Sequence, residues 1–181
     1  MDPFWGKITE DEMKLLNNKG LIYINYLSVL LPDILFFIKH KFHTNPKLPT
    51  ISFVNINLIR RLIHVGLWYW GYFYRMRKIV KPNTIYEKFY HLQLITWMGA
   101  NIFPLTKEGE GISDQIHYTC TTINFAAFSV MKILFCRNSK NFKYALLGLT
   151  GSVFARMDSG AGLFERMCVY NTIHTIPHLM Y

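Results

Sequence analysis

Long apolar stretches separated by short polar segments run through most of this chain. The clearest covers residues 21–39, in which Asp33 is the one interior charge, and the next covers residues 117–136, which Lys132 alone interrupts. Each has the length of about 20 residues that a helix needs to cross the hydrocarbon core of a bilayer. The weaker candidates are residues 51–74, 89–105, 144–157 and 160–181. This pattern predicts an all-α fold, a polytopic transmembrane helix bundle of five to six spans.

The same pattern predicts the domain organisation. Residues 1–20 read as a polar N-terminal lead, and residues 21–181 as a single transmembrane helical domain. Within the lead, Thr9 is followed at once by three acidic residues and then by apolar ones, which is typical of a helix start. We therefore expect a short helix over residues 9–16.

Composition makes these spans unusual. Half of the residues are apolar and 16% are aromatic, yet the mean hydropathy is only +0.13, because Lys, Arg, Asn and Thr interrupt the spans. Such polar helices are expected to face protein as much as lipid. A chain of 181 residues also leaves little room for a separate catalytic domain beside five or six spans.

The net charge of +9 lies mainly in clusters that follow the spans. Lys and Arg concentrate in loops on the cytoplasmic or matrix side of a membrane, where anionic headgroups attract them. No nucleic-acid-binding motif accompanies the charge, so we expect no nucleic acid partner. The residues interpreted as loop anchors are Arg75, Arg77, Lys78 and Lys81 after one span and Arg137, Lys140 and Lys143 after another.

The three cysteines, Cys120, Cys136 and Cys168, are odd in number and lie far apart in the sequence. They are therefore expected to be reduced thiols. The N-terminal sequence lacks a basic segment leading into a short apolar one, so we expect no cleaved presequence.

Lipid contacts are predicted where arginines and tryptophans meet the ends of the spans. Arg60 and Arg61 interrupt an apolar stretch and must reach an interface or a partner. Trp68 and Trp70 precede a basic cluster, as in an aromatic belt at headgroup level, and a specific lipid or quinone groove is the alternative. The predicted lipid-binding residues are Arg60, Arg61, Trp68, Trp70, Arg75, Arg77, Lys78 and Arg166.

Asp33, His117 and Glu165 are the polar side chains predicted to lie within the membrane. An ion at that depth is stabilised by pairing, and we expect Glu165 to neutralise Arg60, Arg61 or Arg156 on another helix. Alternatively, Arg166 holds a lipid phosphate. A structural pair is favoured over a proton relay, because a relay would need several aligned acids.

The candidate ligands of a metal site are Asp114, His117, His174 and His178, since imidazoles with a carboxylate can form a catalytic zinc centre. Pro177 separates the last two histidines, however, and the predicted topology places His117 on the opposite side of the membrane from them. We therefore predict no metal, no cofactor and no catalytic residue, and interfacial histidines are the simpler interpretation.

The order of these features resembles the Frag/DRAM/SFK group of six-span membrane proteins. The similar elements are LPTIS after the first loop, the aromatic span ending in RMRK, SDQIHYTCTTINFAAF at the fourth span and AGLFERMCVYN in the last. The first loop is shorter than in that group and the fifth span less full. The resemblance implies a six-span protein of lipid handling or assembly with no catalytic centre. His117 and Glu165 would be its matching polar residues.

Three functions follow as hypotheses. The leading one is a non-catalytic accessory or structural subunit of a larger membrane complex, with other membrane subunits and phospholipids as partners. A mitochondrial respiratory or ATP synthase assembly in the inner membrane is favoured as its host. The alternatives are an independent endomembrane protein of lipid remodelling and a membrane zinc hydrolase.

Overall fold

The structure is a computed structural model that describes residues 9–40, 49–106, 111–136, 146, 162, 165–170 and 173, with the backbone alone for Lys132 and residues 134–136. Its described part consists of helices and their connections and contains no strand, so the all-α prediction is confirmed. The helices are α1 (Glu10–Leu16), α2 (Lys19–His40), α3 (Ile51–Val54), α4 (Leu58–Trp68), α5 (Arg75–Ile79), α6 (Ile85–Ile102) and α7 (Ile112–Cys136).

Helix α1 begins where its sequence predicts. The Thr9 hydroxyl accepts a hydrogen bond from the Glu12 N–H at 3.2 Å, and the Glu12 carboxylate accepts one from the Thr9 N–H at 2.8 Å. This reciprocal capping box satisfies two backbone donors that the first turn leaves without helical partners. Lys81 then forms an ion pair with Glu12 and joins α1 to the end of α5.

Helix α2 carries Pro32 in its interior. Proline has no N–H, so the carbonyl of Ser28, four residues earlier, has no helical donor. That carbonyl instead accepts from Nδ1 of His64 on α4, at 2.8 Å. The proline thus creates an acceptor on α2 that α4 uses, and the two helices pack closely along this face.

The apolar stretch 51–74 divides into two helices, although its sequence reads as one span. The Asn57 side chain accepts from the Ile59 and Arg60 N–H groups and so caps a new helix, α4, after α3 has ended. From α4 the chain continues without a break through a π-helical segment, Tyr69–Tyr74, into α5. Helices α6 and α7 form the other extensive contact.

The core between these pairs is mostly aromatic. Trp68 stacks on Tyr72, with ring centroids 5.3 Å apart, and Phe73 lies 4.9 Å from Trp97. Phe128 of α7 contacts the rings of both Trp68 and Tyr72. Aromatic rings therefore join α4, the π-helical segment, α6 and α7 into one cluster.

The distribution of polarity is inverted on α2. Its buried side chains include Asn25, Ser28 and Asp33, spaced three to five residues apart on one helical face. The opposite face exposes large apolar side chains, with Tyr23 63% and Ile38 65% exposed. Helices α4 and α6 repeat this arrangement, with outward residues Ile59, Leu62, Ile95 and Ile102 and inward ones His64, Gln93 and Thr96, and α7 buries Asn124.

One described helical stretch, Glu10–His40, is long and apolar enough to cross a membrane by length and composition. The predicted spans at 51–74, 89–105 and 117–136 coincide with helices, but these do not pass the same test among the described residues. The predicted spans at 144–157 and 160–181 fall almost entirely outside the described residues, as do the basic loop at 137–143 and the side chain of Cys136.

Candidate functional site

An interhelical cleft of about 80 Å³ lies between α3, α4, α6 and α7. It is smaller than a typical ligand pocket of roughly 300–1,000 Å³ and has room for a few water molecules. It adjoins a wider hollow of about 590 Å³, and His117, Thr121 and Glu165 lie in the walls of both. We refer to the first of these as the interhelical cleft.

Helical spacing explains how one cleft collects side chains from several helices. On α4, Arg61, His64 and Trp68 recur at intervals of three and four residues, which places them on one face. Helix α6 supplies Trp97 and its neighbours one turn later. The α7 stripe is similarly spaced and consists of His117, Thr121, Asn124, Phe125 and Phe128.

The walls carry buried polar atoms that make no hydrogen bond with any part of the chain that the structure describes. Burial of such an atom without a partner costs about 1–3 kcal/mol, so a cluster of them requires an explanation. Trp68, Trp97, His117 and Asn55 are all at least nine-tenths buried. The atoms are Nε1 of Trp68 and Trp97, Nη1 of Arg61, Nε2 of His117, Oγ1 of Thr121 and Oδ1 of Asn55.

The orientation of His117 is set by the end of α6. Its Nδ1 lies 2.7 Å from the Ala100 carbonyl and 2.9 Å from the Phe103 carbonyl. Carbonyl oxygens only accept, so Nδ1 carries the proton and donates to them. In the neutral ring Nε2 is then an acceptor, and it belongs to the cleft wall.

Asp114 holds the connection between α6 and α7. Its carboxylate accepts from the N–H and hydroxyl of Thr106, each at 2.7 Å, and from the Gly111 N–H at 3.0 Å. These hydrogen bonds, that from the Thr106 N–H above all, hold the pKa of Asp114 below its ordinary value. The carboxylate is therefore committed to loop closure at the start of α7.

A second polar cluster lies around Asp33, in the second half of α2. Arg166 donates to both carboxylate oxygens of Asp33, from Nε at 2.9 Å and from Nη2 at 2.6 Å. Its Nη1 donates to the carbonyls of Pro49 and Gly162, at 2.6 and 2.9 Å. This is a bidentate ion pair in a buried site, the geometry in which Arg binds carboxylate best.

The sequence predicts an ion pair of Glu165 with Arg60, Arg61 or Arg156, and this pairing stays a prediction. Glu165 accepts from the Ile51 N–H at 2.6 Å, at the start of α3. The described ion pair of this region joins its neighbour Arg166 to Asp33. Arg156 lies outside the described residues.

The residues predicted to bind lipid occupy different environments. Arg60 is buried, donates from Nε to the Val54 carbonyl at 2.6 Å and lies over the Phe36 ring. Arg61 and Trp68 line the interhelical cleft. The exposed members of the predicted set are Trp70, Arg77 and Lys78.

Arg75 does not lie in the exposed environment that the sequence predicts. The sequence places it in a basic loop, but the side chain is completely buried, and its Nη1 donates to the Leu16 carbonyl at 3.2 Å. The helix that begins in the predicted span continues through the π-helical segment to residue 79, so Arg75 points into the bundle rather than to headgroups.

The predicted zinc candidates are only partly described. Asp114 and His117 lie within one turn of α7, and each is engaged with backbone groups. His174 and His178 lie outside the described residues. Among the residues that the structure describes, no group of three or more His, Cys, Asp or Glu is placed to hold a metal ion.

No family model, no curated protein and no solved structure matches this chain. The resemblance to the Frag/DRAM/SFK group stays a prediction, carried by the motifs quoted above.

The predicted site residues do not include Trp97, Thr121 and Asn124, which α6 and α7 contribute to the cleft. A signal was present, because polar residues recur at intervals of three and four through both apolar stretches. No such pattern indicated Asn55, because its place in the cleft depends on where α3 ends.

Proposed function

We propose that this chain is a non-catalytic integral membrane protein, a polytopic helix bundle that serves as an accessory or structural subunit of a larger membrane complex. The observation that carries the proposal is the inverted polarity of the helices. Large apolar side chains cover the outside of α2, α4 and α6, while Asp33, Arg60 and Arg75 are buried. Exposed apolar area on this scale is unfavourable in water and is stabilised by lipid or by neighbouring subunits.

The buried polar groups support the same proposal. Without a hydrophobic driving force between helices in lipid, bundles are held by packing and by interhelical hydrogen bonds. Here Asn25 donates to the Gly71 carbonyl, and Asn124 donates to the Gln93 carbonyl. The Tyr72 hydroxyl donates to Gln93 Oε1 at 2.7 Å. These bonds join α2, the π-helical segment, α6 and α7.

We expect lysine at an outward position of α2 to block membrane insertion. Leu30 is 42% exposed and lies midway along the predicted first span, so Leu30→Lys would place a charge at mid-bilayer at a cost of about 2.5–3.5 kcal/mol. The matched control is Ile112→Lys at the first residue of α7, which is 77% exposed and lies outside the predicted spans. Resistance to alkaline carbonate extraction is the measurement.

A protein that exposes these surfaces to water would tolerate both substitutions equally. Membrane embedding would therefore be contradicted if carbonate extracted the wild type and both variants were retained equally.

The subunit role makes a separate prediction about size. Solubilised in mild detergent, the 21.3 kDa chain is expected to migrate in a complex of several hundred kilodaltons on a native gel, at roughly ten times its own mass or more. Mass spectrometry of the co-migrating chains would name the host, for which a mitochondrial respiratory or ATP synthase assembly is our proposal. A lone band at the mass of one or two chains with detergent would exclude the subunit role.

A lone band on the native gel would favour an independent protein of endomembrane lipid remodelling. The interhelical cleft is the observation that supports this alternative, because a structural subunit does not require a polar cavity between its helices.

A further inference from the structure

The wider hollow beside the interhelical cleft has the volume of a small-molecule site. It measures about 590 Å³, within the range of roughly 300–1,000 Å³ that ligand pockets occupy. Much of its described wall consists of α7 residues at intervals of three and four, and the start of α3 contributes as well. We refer to it as the α7 hollow. The hydroxyl-bearing residues of its described wall are Thr50, Ser52, Tyr118, Thr121, Thr122 and Ser129.

The charges around the α7 hollow favour an uncharged ligand. Its described wall contains no lysine or arginine, since Arg61 lines the interhelical cleft instead. The carboxylate in this wall, Glu165, is engaged at the start of α3, where it accepts from the Ile51 N–H at 2.6 Å. An anion would therefore lie near a carboxylate without a described cation to pair with, and a cation would compete with the Ile51 N–H.

His117 defines the hydrogen bond that such a ligand makes. The side chain is 5% exposed, and its Nδ1 donates to the Ala100 and Phe103 carbonyls, so Nε2 is an acceptor in the neutral ring. Thr121 lies one turn further along α7. Neither His117 Nε2 nor Thr121 Oγ1 makes a hydrogen bond within the described part of the chain. An alcohol complements both groups, because its O–H donates to Nε2 while its oxygen accepts from the threonine hydroxyl.

The rest of the wall indicates what the alcohol is attached to. Tyr118 and Thr122 add hydroxyl groups that can donate to ester carbonyls, whereas a sterol has a single oxygen and would leave them without an acceptor. Leu105, Phe125 and Ala126 supply apolar surface for acyl chains. An apolar lining with a few oriented polar groups is the usual form of a small-molecule site.

We propose that the α7 hollow binds a neutral glycerolipid with a free hydroxyl group, the chemistry of diacylglycerol. The lipid hydroxyl donates to His117 Nε2 and accepts from Thr121. Its ester carbonyls accept from the remaining hydroxyl groups of the wall, and its chains lie along the apolar side. This inference rests on the proposed membrane embedding, and it does not require a host complex.

Matched lipids with the same octanoyl chains test the hydroxyl. Dioctanoylglycerol carries the hydroxyl, its methyl ether keeps the oxygen but has no O–H, and dioctanoyl phosphatidic acid has a charged phosphate there. Each is added to the purified full-length protein in detergent, and titration of the rise in Tm measures its apparent affinity. We expect dioctanoylglycerol to bind roughly tenfold more tightly than either analogue, because the ether leaves Nε2 buried without a donor and the phosphate lies near Glu165.

A conservative variant then locates the site. Thr121→Val keeps the shape of the side chain and removes its hydroxyl, so it is expected to weaken dioctanoylglycerol binding about threefold to tenfold, the effect of one neutral hydrogen bond. The control is Thr119→Val, the same change at an exposed residue that does not line the hollow and whose hydroxyl donates to the Gln115 carbonyl. It should bind the lipid as the wild type does.

Several outcomes would overturn the proposal. Equal binding of dioctanoylglycerol and its methyl ether by the wild type would show that no lipid hydroxyl is recognised, and this comparison needs no variant to fold. Tighter binding of phosphatidic acid would identify an anion as the ligand, and equal binding of cholesterol would remove the ester groups from the proposal. Equal losses in Thr119→Val and Thr121→Val would place the lipid outside the hollow.

The proposed function fails by different measurements. Membrane embedding is tested by carbonate extraction of the wild type, and the subunit role by the native gel. Because lipid binding is measured on the isolated chain in detergent, a lone band on the gel leaves this test intact, and a protein that binds none of the lipids can still be a membrane subunit.

Discussion

Replacing Arg166 with methionine is expected to destabilise the protein by about 3–5 kcal/mol, because it leaves the Asp33 carboxylate buried without its cation. The lost guanidinium also leaves the Pro49 carbonyl without the hydrogen bond that Arg166 donates to it. Asp33→Leu should have an effect of similar size for the converse reason. Reversible unfolding in detergent micelles, followed by helix content, is the measurement.

The double variant Asp33→Leu with Arg166→Met tests whether each charge is needed only to neutralise the other. Replacing both members of a buried ion pair with apolar groups of similar volume is often nearly neutral, so we expect most of the lost stability to return. The control is the exposed pair of Asp11 and Lys14, where Asp11→Asn should change stability by less than about 1 kcal/mol. Additive losses at Asp33 and Arg166 would show that the two side chains are not coupled.

The second large effect is expected at Gly71, in the π-helical segment. A Cβ there would lie 2.9 Å from the backbone nitrogen of Asn25 on α2, closer than real Cβ contacts allow. Gly71→Ala should therefore separate α2 from this segment and cost about 1–3 kcal/mol, as overpacking of a close interface does. The hydrogen bond from Asn25 to the Gly71 carbonyl, now 3.0 Å, would lengthen with it.

Gly66→Ala is the matched control, since a Cβ on Gly66 meets nothing within 4 Å. Alanine favours a helix over glycine by about 1 kcal/mol, so this variant should be neutral or slightly stabilised. Adding Asn25→Ala to Gly71→Ala tests the cause. The Asn25→Ala change removes the Asn25 side chain but leaves its backbone nitrogen, so only part of the lost stability should return. Equal effects of alanine at positions 66 and 71 would contradict the close approach.

Local patterns predicted α1, α2 and α7 well, but not the division of residues 51–74 into α3 and α4. The predicted first span, residues 21–39, lies within α2, Lys19–His40, and the predicted span at 117–136 lies within α7. Thr9 caps α1 through the side-chain contacts that its sequence indicates. Hydrogen bonds within a helix join residues three or four positions apart, so composition and capping over one short window are enough to predict them.

Partnerships between distant residues were not predictable in this way. Asp33 and Arg166 are 133 positions apart, and the same arginine was expected to contact lipid. Arg75 was expected in a loop and is buried. In each case the charge itself is visible in the sequence. The direction in which the side chain points depends on where the helix ends and on whether it contains an irregular turn, such as the π-helical segment before Arg75.

The amino-acid pattern is sufficient to predict a helical chain, the ends of α2, α6 and α7 to within a few residues, and the polar groups that interrupt the apolar stretches. Which way those groups point depends on how the helices pack. Asp33 faces Arg166, His64 uses the carbonyl that Pro32 leaves free, and Trp68 and Trp97 line one cleft. The reason is physical: helix formation is governed by neighbours in sequence, whereas the pairing of polar groups depends on the rotation and contact of whole helices.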